Sequence, residues 1–268
     1  MKKTHLIILS LFLTSAIIIT ATVITYKALT VPKSKKYVVE TIEANSKGYI
    51  KVGIISDAQL PQEEKNLYGW DYATVMNGAD HLIKALKYYK SQNVDMIVFN
   101  GDMVNATGDY AAYSAYNKIL DYVYGEDRAE APHIIYPMGN HVFYGGNQEH
   151  NFYKSTGLPL NTRTIVNGYS FISISNSKLE KGDEELAESN DTLADGTYNE
   201  KRIEFLKEQL AAANTEDPNK PIFVFIHMPI SNIVNGGHWA TPQYEEIYSI
   251  LKEYPQAVVF TGHSHYCM

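Results

Sequence analysis

The hydrophobic pattern of the chain predicts short strands that alternate with helices. The apolar runs are rich in β-branched residues and lack the polar alternation of a strand with one wet face, so they are typical of strands buried on both faces. The predicted strands are residues 49–56, 94–100, 133–138, 170–175, 221–227 and 257–262. Stretches with helical periodicity cover residues 78–90, 110–124, 199–213 and 243–252.

This order of elements predicts an α/β fold with a layered core, because strands alternate with helical stretches along most of the chain. The acidic and polar stretch at residues 179–197 is predicted to be a surface loop before the third helix. No internal repeat or low-complexity segment is visible. One domain of ordinary size accounts for the whole pattern.

The first 36 residues differ in kind from the rest. Lys2, Lys3 and His5 precede an uncharged run at residues 6–26, and those 21 residues are long enough to cross a bilayer as a helix. A cleaved signal peptide usually has a shorter apolar stretch and a small-x-small cleavage site, and neither is clear here. We therefore predict a signal anchor and linker at residues 1–36. Cleavage of a signal peptide, which would release a secreted protein, is the alternative.

Two features of the sequence favour opposite orientations of this predicted anchor. Lysines follow the apolar run at positions 27, 33, 35 and 36 and outnumber those before it, which on the positive-inside rule favours a cytoplasmic domain. A long following domain can still be exported despite such charges. We expect a membrane-anchored protein whose domain faces outside.

Composition excludes several classes of site and partner. The net charge of −7, with no cluster of Lys and Arg in the body of the chain, argues against nucleic acid as a partner. The single cysteine, Cys267, excludes an intramolecular disulfide and a cysteine-rich zinc site. Nothing in the sequence indicates an oligomeric state.

Polar side chains follow nearly every predicted strand. In α/β folds the functional residues gather beyond the carboxyl ends of the strands. Imidazoles and carboxylates without thiols suit Mn, Fe, Co or Zn ions, and the candidates exceed what one ion needs, so we predict a two-metal site. The candidates are Asp57, Gln59, Asp102, Asn140, His141, His227, His263 and His265.

Each of these candidates is weak evidence when it is taken alone. A chain with 9 histidines in 268 residues often contains a His-x-His by chance. Asp57 is also a common type of turn or capping residue, and His227 can be a hydrogen-bonded core histidine. Their order along the chain and their shared placement at strand ends carry the prediction, because these ordinary roles would not produce that arrangement together.

The ordered set resembles the calcineurin-like metallophosphoesterase family. The family signature runs Asp-x-His, Gly-Asp, Gly-Asn-His-Asp/Glu, a lone His and Gly-His-x-His. The counterparts here are "DAQ" at Asp57, "GD" at Gly101, "GNHV" at Gly139, His227 and "GHSH" at Gly262. The resemblance implies a β-sandwich flanked by helices over residues 49–268. Family members normally continue beyond Gly-His-x-His, so we expect the domain to be incomplete at its C-terminal end.

The resemblance also implies a reaction and a role for each residue. It implies hydrolysis of a small-molecule phosphate ester by two divalent ions (Mn, Fe, Zn or Co) and a bridging hydroxide, with Asp102 between the ions and His141 beside the substrate as proton donor. The implied ligands of the first ion are Asp57, Gln59, Asp102 and His265. Those of the second are Asp102, Asn140, His227 and His263.

Two departures from the family pattern leave a second function open. Gln59 stands where the family usually has histidine, and a neutral amide oxygen is a weaker donor than imidazole. Val142 replaces the carboxylate that usually follows the catalytic histidine, and Glu149 is a conceivable substitute. The alternative to an enzyme is therefore a catalytically degenerate member of the family that binds a ligand or partner at the membrane.

Overall fold

The computed structural model describes residues 36–45, 48–60, 72–105, 110–143, 148–177, 196–230, 241 and 243–265. Strands and helices alternate through most of these ranges. The strands are β1 (Tyr37–Ile42), β2 (Val52–Ile55), β3 (Met96–Phe99), β4 (His133–Ile135), β5 (Asn161–Val166), β6 (Tyr169–Ile174), β7 (Ile222–Ile226) and β8 (Ala257–Phe260). The helices are α1 (Tyr72–Ser91), α2 (Tyr110–Tyr124), α3 (Gln148–Thr156), α4 (Glu200–Glu216) and α5 (Tyr244–Leu251).

Within these ranges the strands form two sheets. The larger sheet has the order β1-β5-β6-β7-β8, and the smaller sheet has the order β2-β3-β4 with all strands parallel. In the larger sheet β5 runs antiparallel to β6, whereas β1 is parallel to β5, and β7 and β8 are parallel to β6. The carboxyl ends of β6, β7 and β8 therefore share one edge with the amino ends of β1 and β5.

The two sheets pack face to face through an apolar layer. Met96 and Val98 of β3 and Ile135 of β4 share one buried cluster with Phe171 of β6 and Phe225 of β7. Alternate residues of a strand point to opposite faces, so the neighbours of these side chains project outward towards the helices. The interior of the sandwich is thus closed by residues from both sheets.

Helices cover the outer face of each sheet. Leu86 of α1 and Leu120 of α2 pack with Ile97 of β3 on the outside of the smaller sheet. Leu206 of α4 packs with Val224 of β7 on the outside of the larger sheet, where α5 lies in the same cluster. This arrangement of helix, sheet, sheet and helix confirms the predicted α/β fold, a layered β-sandwich flanked by helices.

The six predicted strands are all present, but the sequence pattern missed two others. β1 is an edge strand whose residues alternate between exposed and half-buried positions, which gives it a weak apolar signal. β5 carries polar residues that are satisfied within the sheet: Thr162 pairs with Ser173 across the strands, and Arg163 donates to Ser170. The helix α3 was also missed.

One predicted helix differs in its start, and two predicted segments lie mostly or wholly outside the described residues. Helix α1 begins at Tyr72 rather than at residue 78. Gly78 lies inside the helix, where a Cβ would come too close to the carbonyl oxygen of Ala58. No helix in the described ranges is long and apolar enough to cross a membrane. The predicted anchor at residues 6–26 and most of the predicted loop at 179–197 lie outside those ranges.

Candidate metal centre

The structure brings the predicted site residues to one edge of the sandwich. Each follows the carboxyl end of a strand, as the chain leaves the sheet. Gly139 has to be a glycine, because a Cβ there would overlap the Oδ1 atom of Asp102. Asp57 and Gln59 follow β2, Asp102 follows β3, Asn140 and His141 follow β4, His227 follows β7, and His263 and His265 follow β8.

Asp102 lies at the centre of this edge and is fully buried. Its Oδ2 atom lies 2.9 Å from Nε2 of His227, and its Oδ1 atom accepts a hydrogen bond of 3.0 Å from the backbone N–H of His141. Burial opposes ionisation of this carboxyl group, but the adjacent His227 and His141 outweigh it and lower the pKa of Asp102. Asp102 is therefore a buried carboxylate with both oxygens directed at site residues.

His227 is the buried imidazole that faces both carboxylates. Its Nδ1 atom donates to the carbonyl oxygen of Asn100 at 2.8 Å, which leaves Nε2 directed at Asp102 and at Asp57, the latter 3.7 Å away. Burial disfavours the imidazolium, but the two carboxylates raise the pKa of His227 to about 9. A metal ion that binds Nε2 must displace this proton, so metal uptake here is coupled to proton release.

Asp57 joins the loops that follow β2 and β8. Its Oδ2 atom accepts from the backbone N–H of His263 at 3.0 Å and from the Ser56 hydroxyl, and its Oδ1 atom lies 3.2 Å from Nε2 of His265. Burial raises the pKa of Asp57, but the His227 charge and these hydrogen bonds outweigh burial and hold the pKa below its usual range. The Asp57 carboxylate is thus ionised and lies between the imidazoles of His227 and His265.

His263 and His265 differ in their electrostatic environment. Burial and the neighbouring His227 lower the pKa of His263 to about 4, so this ring is neutral and can offer a lone pair. The hydrogen bond with Asp57 raises the pKa of His265, whose side chain is 39% exposed. The two histidines that looked equivalent in the sequence therefore occupy one buried and one open position.

Gln59 lies beside His265 and His141 at the exposed side of the site. Its Nε2 atom lies 3.2 Å from Nε2 of His265 and 3.4 Å from Nε2 of His141. For Gln59 to hold a cation, its amide has to turn over so that Oε1 replaces Nε2. The position of Gln59 fits the predicted role, and the rotation needs no change in the backbone.

The donor set fits divalent metal ions. Ligand atoms of Asp102, His227 and His263 all lie within 4.8 Å of one another. The Oδ1 atom of Asn140 is buried and has no hydrogen-bond partner in the described part of the chain. A buried amide oxygen without a partner is costly, and a cation between Asn140 and Asp102 would satisfy it. Carboxylate, imidazole and amide donors without thiolate suit Mn, Fe, Co or Zn.

Backbone strain concentrates at the same edge. Among the described residues other than glycine, eight have a positive φ, and five of these are predicted metal ligands: Asp57, Gln59, Asp102, His263 and His265. The left-handed region is unfavourable for residues with a Cβ and persists only where the surrounding structure enforces it. The fold thus holds five polar side chains in costly conformations that direct them to one place.

His141 is oriented by a residue that the sequence did not single out. Its Nδ1 atom lies 2.9 Å from Oδ1 of Asn105, which can only accept, so Nδ1 carries the proton and Nε2 is directed at the site. Nε2 of His141 lies 3.8 Å from Oδ2 of Asp102. Asn105 follows Asp102 by three residues, and its spacing within the β3 exit loop is the signal that could have identified it.

Neither position 142 nor the conceivable substitute Glu149 places a carboxylate beside His141. Val142 is fully buried in the apolar cluster beneath α1 and α2, so position 142 belongs to the core. Glu149 forms ion pairs with Lys36 and Arg202 instead of contacting His141. The group that contacts the His141 ring at Nδ1 is therefore the Asn105 amide.

Asn105→Ala should lower kcat about tenfold with little change in KM, because the lost hydrogen bond, worth about 1.4 kcal/mol, orients the imidazole rather than binding the substrate. Asn105→Asp keeps an acceptor at the same position and should restore most of the rate. Steady-state kinetics on both variants tests this, with thermal unfolding as the control for folding. A rise in KM without a change in kcat would contradict the orienting role.

Comparison with known proteins identifies the family. The family model for calcineurin-like phosphoesterases matches residues 50–267. The fold is similar to that of a dimetal phosphatase from Danio rerio, with a TM-score of 0.61 and 18% identity over 81% of this chain and 82% of the other. It is also similar to a purple acid phosphatase from yellow lupin (Lupinus luteus) seeds, with a TM-score of 0.51 and 16% identity over 80% of this chain and 37% of the other.

No curated protein sequence matches the chain significantly. The family model spans most of the chain, and its range contains every predicted site residue. The chain therefore belongs to the calcineurin-like phosphoesterase family, a class of metal-dependent hydrolases. It is a phosphoesterase, which confirms the family resemblance and the type of enzyme that the motifs imply.

Proposed function

We propose that the protein hydrolyses a small-molecule phosphate ester at a centre of two divalent ions. The observation that carries this proposal is Asp102, a fully buried carboxylate at the centre of the site, with Oδ2 2.9 Å from Nε2 of His227 and Oδ1 bound by the backbone N–H of His141. The proposed ligands of the first ion are Asp57, Gln59, Asp102 and His265. Those of the second are Asp102, Asn140, His227 and His263.

The ions would supply charge neutralisation for the phosphoryl group and an activated bridging hydroxide that attacks phosphorus. The residues of the chain position the ligand atoms and provide a proton donor. The carboxylate of Asp102 fixes the spacing of the two donor groups, and the Asn100 carbonyl oxygen fixes the His227 ring through Nδ1. His141 stands at the open side of the site, where its side chain is 23% exposed. We propose that His141 donates the proton that the leaving oxygen takes up.

A metal-dependent assay with activated esters tests the proposed function. The purified protein should be stripped with a chelator, reloaded with Mn, Fe, Co or Zn, and given an aryl phosphate monoester and an aryl phosphodiester. Hydrolysis of at least one ester should return with metal and saturate near two ions per chain. Two bound ions without turnover of either ester would favour the degenerate binding protein instead.

Gln59→His should raise the metal affinity of the first site, because imidazole is a stronger donor than an amide oxygen. Activity at limiting metal should rise with it. Isothermal titration of the wild type and the variant with Mn or Zn measures the change. An unchanged affinity would show that Gln59 is not a ligand.

We also propose that residues 6–26 anchor the protein in a membrane with the domain outside. The support is the length and the uncharged character of this run. After cell fractionation the protein should remain with membranes in high salt and at alkaline pH, and protease added to intact cells should digest the domain. Recovery of a shortened chain in the medium would show a cleaved signal peptide instead.

A further inference from the structure

One buried side chain at the metal-site edge joins the two sheets. Asn100 directly follows β3 of the smaller sheet. Its Nδ2 atom donates to the carbonyl oxygen of Phe260 at 3.1 Å and to that of Ile226 at 3.4 Å. Phe260 and Ile226 are the last residues of β8 and β7 in the larger sheet. The Asn100 amide therefore links the ends of three strands.

The orientation of this amide is fixed by its partners. Both carbonyl oxygens can only accept, so the NH2 group of Asn100 faces them, and its two hydrogens serve one carbonyl each. The opposite orientation would place Oδ1 against two carbonyl oxygens. Oδ1 is buried and has no hydrogen-bond partner among the described residues. The side-chain hydrogen bonds of Asn100 in that part of the chain are thus the two that it donates to the larger sheet.

The backbone of Asn100 binds ligand-bearing segments as well. Its carbonyl oxygen accepts from Nδ1 of His227 at 2.8 Å and from the Ser56 hydroxyl at 2.8 Å. Asp102 follows Asn100 by two residues in the same loop. Asn100 is therefore in contact with the segment that carries His227 and lies on the segment that carries Asp102.

The ends of β7 and β8 are also joined to each other. The Gly262 N–H donates to the carbonyl oxygen of His227 at 2.9 Å, and the rings of His227 and His263 lie 5.5 Å apart. Gly101 packs so closely on the His227 ring that a Cβ at position 101 would overlap it. The two histidine-bearing strand ends therefore form one unit, which Asn100 attaches to the end of β3.

Apolar packing between the sheets does not set a precise spacing at this edge. The cluster between the sheets is apolar, and hydrophobic burial is non-directional. Metal ligation, in contrast, requires ligand distances within a few tenths of an ångström. The ligand atoms of Asp102, His227 and His263 come from both sheets and lie within 4.8 Å of one another. A directional contact close to the site is what can fix their spacing.

We propose that Asn100 is a positioning residue that sets the distance between Asp102 on the smaller sheet and His227 and His263 on the larger sheet. This inference rests on the proposed two-ion centre. The second ion takes two of its four proposed ligands, His227 and His263, from the strand ends that Asn100 holds. The first ion takes only His265 from them. Asn100 therefore matters most for the second ion.

Asn100→Ala removes both donors and should weaken binding of the second ion by about 10- to 100-fold, as is typical when a group that orients metal ligands is lost. Binding of the first ion should change far less, because its ligands Asp57 and Gln59 lie on the loop after β2. Calorimetric titration of the metal-free full chain with Mn measures both binding steps.

Two further variants make this titration specific. His265→Ala removes a proposed ligand of the first ion alone and so identifies the step that belongs to that ion. Asn117→Ala removes another bridging amide, which lies in the middle of α2, donates to the Ser155 carbonyl oxygen at 2.9 Å and accepts from Arg128 at 3.0 Å. Asn117→Ala should lower the free energy of unfolding and leave both binding steps unchanged.

Three results of the titration would overturn the positioning role. They are unchanged Mn binding in Asn100→Ala, equal weakening of both steps in that variant, and the same selective weakening in Asn117→Ala. Kinetics provides a second readout: kcat for an aryl phosphate should fall in Asn100→Ala with little change in KM, because the buried Asn100 does not contact the substrate. A rise in KM with kcat unchanged would contradict the assigned role.

The wild-type protein offers a test that does not depend on the folding of any variant. Both Nδ2 protons of Asn100 are buried and hydrogen-bonded, so they should exchange with deuterium as slowly as the backbone amides of the central strands. Nuclear magnetic resonance of the ¹⁵N-labelled chain measures this exchange. Rapid exchange of these two protons would show that the link between the sheets is not maintained and would overturn the inference.

The positioning role and the proposed function fail in different ways. Selective loss of the second ion in Asn100→Ala, with no ester turnover by the metal-loaded wild type, would support the positioning role and overturn the proposed catalysis. Ester turnover by the wild type with unchanged Mn binding in Asn100→Ala would do the reverse. Fewer than two Mn ions bound to the wild type would overturn both.

Discussion

Asp102→Ala is expected to remove most of both metal ions and to lower kcat/KM by about a thousandfold. The carboxylate is fully buried and faces His227 on one side and the His141 backbone on the other. Without it, two neighbouring cations lose the shared negative charge that offsets their repulsion. A loss of about 4 kcal/mol in transition-state stabilisation corresponds to this factor in rate. Elemental analysis and aryl phosphate kinetics on the purified variant measure both effects.

A matched variant separates this effect from a loss of folding. Asp95 is also a buried carboxylate, but it accepts backbone hydrogen bonds from Asn45 and Lys51 before the start of β3, away from the site. Asp95→Asn should lower the free energy of unfolding while both ions and the activity per folded molecule are retained. Retention of two ions in Asp102→Ala would contradict the bridging role.

His141→Ala is expected to slow hydrolysis of alkyl phosphate esters by about a hundredfold, with a much smaller loss on aryl esters. An alkoxide needs a proton in the transition state, whereas a nitrophenolate departs without one. His141 contacts Asp102 through its backbone N–H, so its side chain can be removed without loss of that hydrogen bond. Both ions should remain bound.

The measurement is kcat/KM for a pair of alkyl and aryl substrates that share the same phosphoryl group. His141→Gln is a useful second variant, because it keeps a polar side chain but cannot donate a proton as an acid. Equal losses on the two substrates would show that His141 positions the substrate or stabilises charge instead of acting as a general acid.

The fold was predictable from sequence where burial is two-sided. Strands such as Met96–Phe99, in which all four residues are buried, give an uninterrupted apolar run that admits few other readings. β1 and β5 escaped prediction because their stability comes from pairing and from polar contacts. The buried Arg163, for example, is satisfied by Ser170 of β6 and by Glu216 at the end of α4, and neither contact leaves a sign in the apolar pattern.

The candidate site was predictable because its residues follow strands in a fixed order, and the parallel strand ends bring them together. Three features depended on three-dimensional contacts. The role of Asn105 depends on the path of the loop after β3, and the core position of Val142 depends on the turn at His141–Phe143. The pairing of Glu149 with Lys36 and Arg202 joins segments that are distant in sequence.

The central claim is a centre of two metal ions that share Asp102. The most direct test is a crystal of the domain grown with Mn, measured by anomalous scattering. The account predicts two anomalous peaks about 3.5–4 Å apart. The Asp102 carboxylate should lie within ligand distance of both peaks, and the Asn140 oxygen within ligand distance of one. A single peak held by Asp102, His227 and His263 alone, with Asp57 and His265 away from any metal, would contradict it.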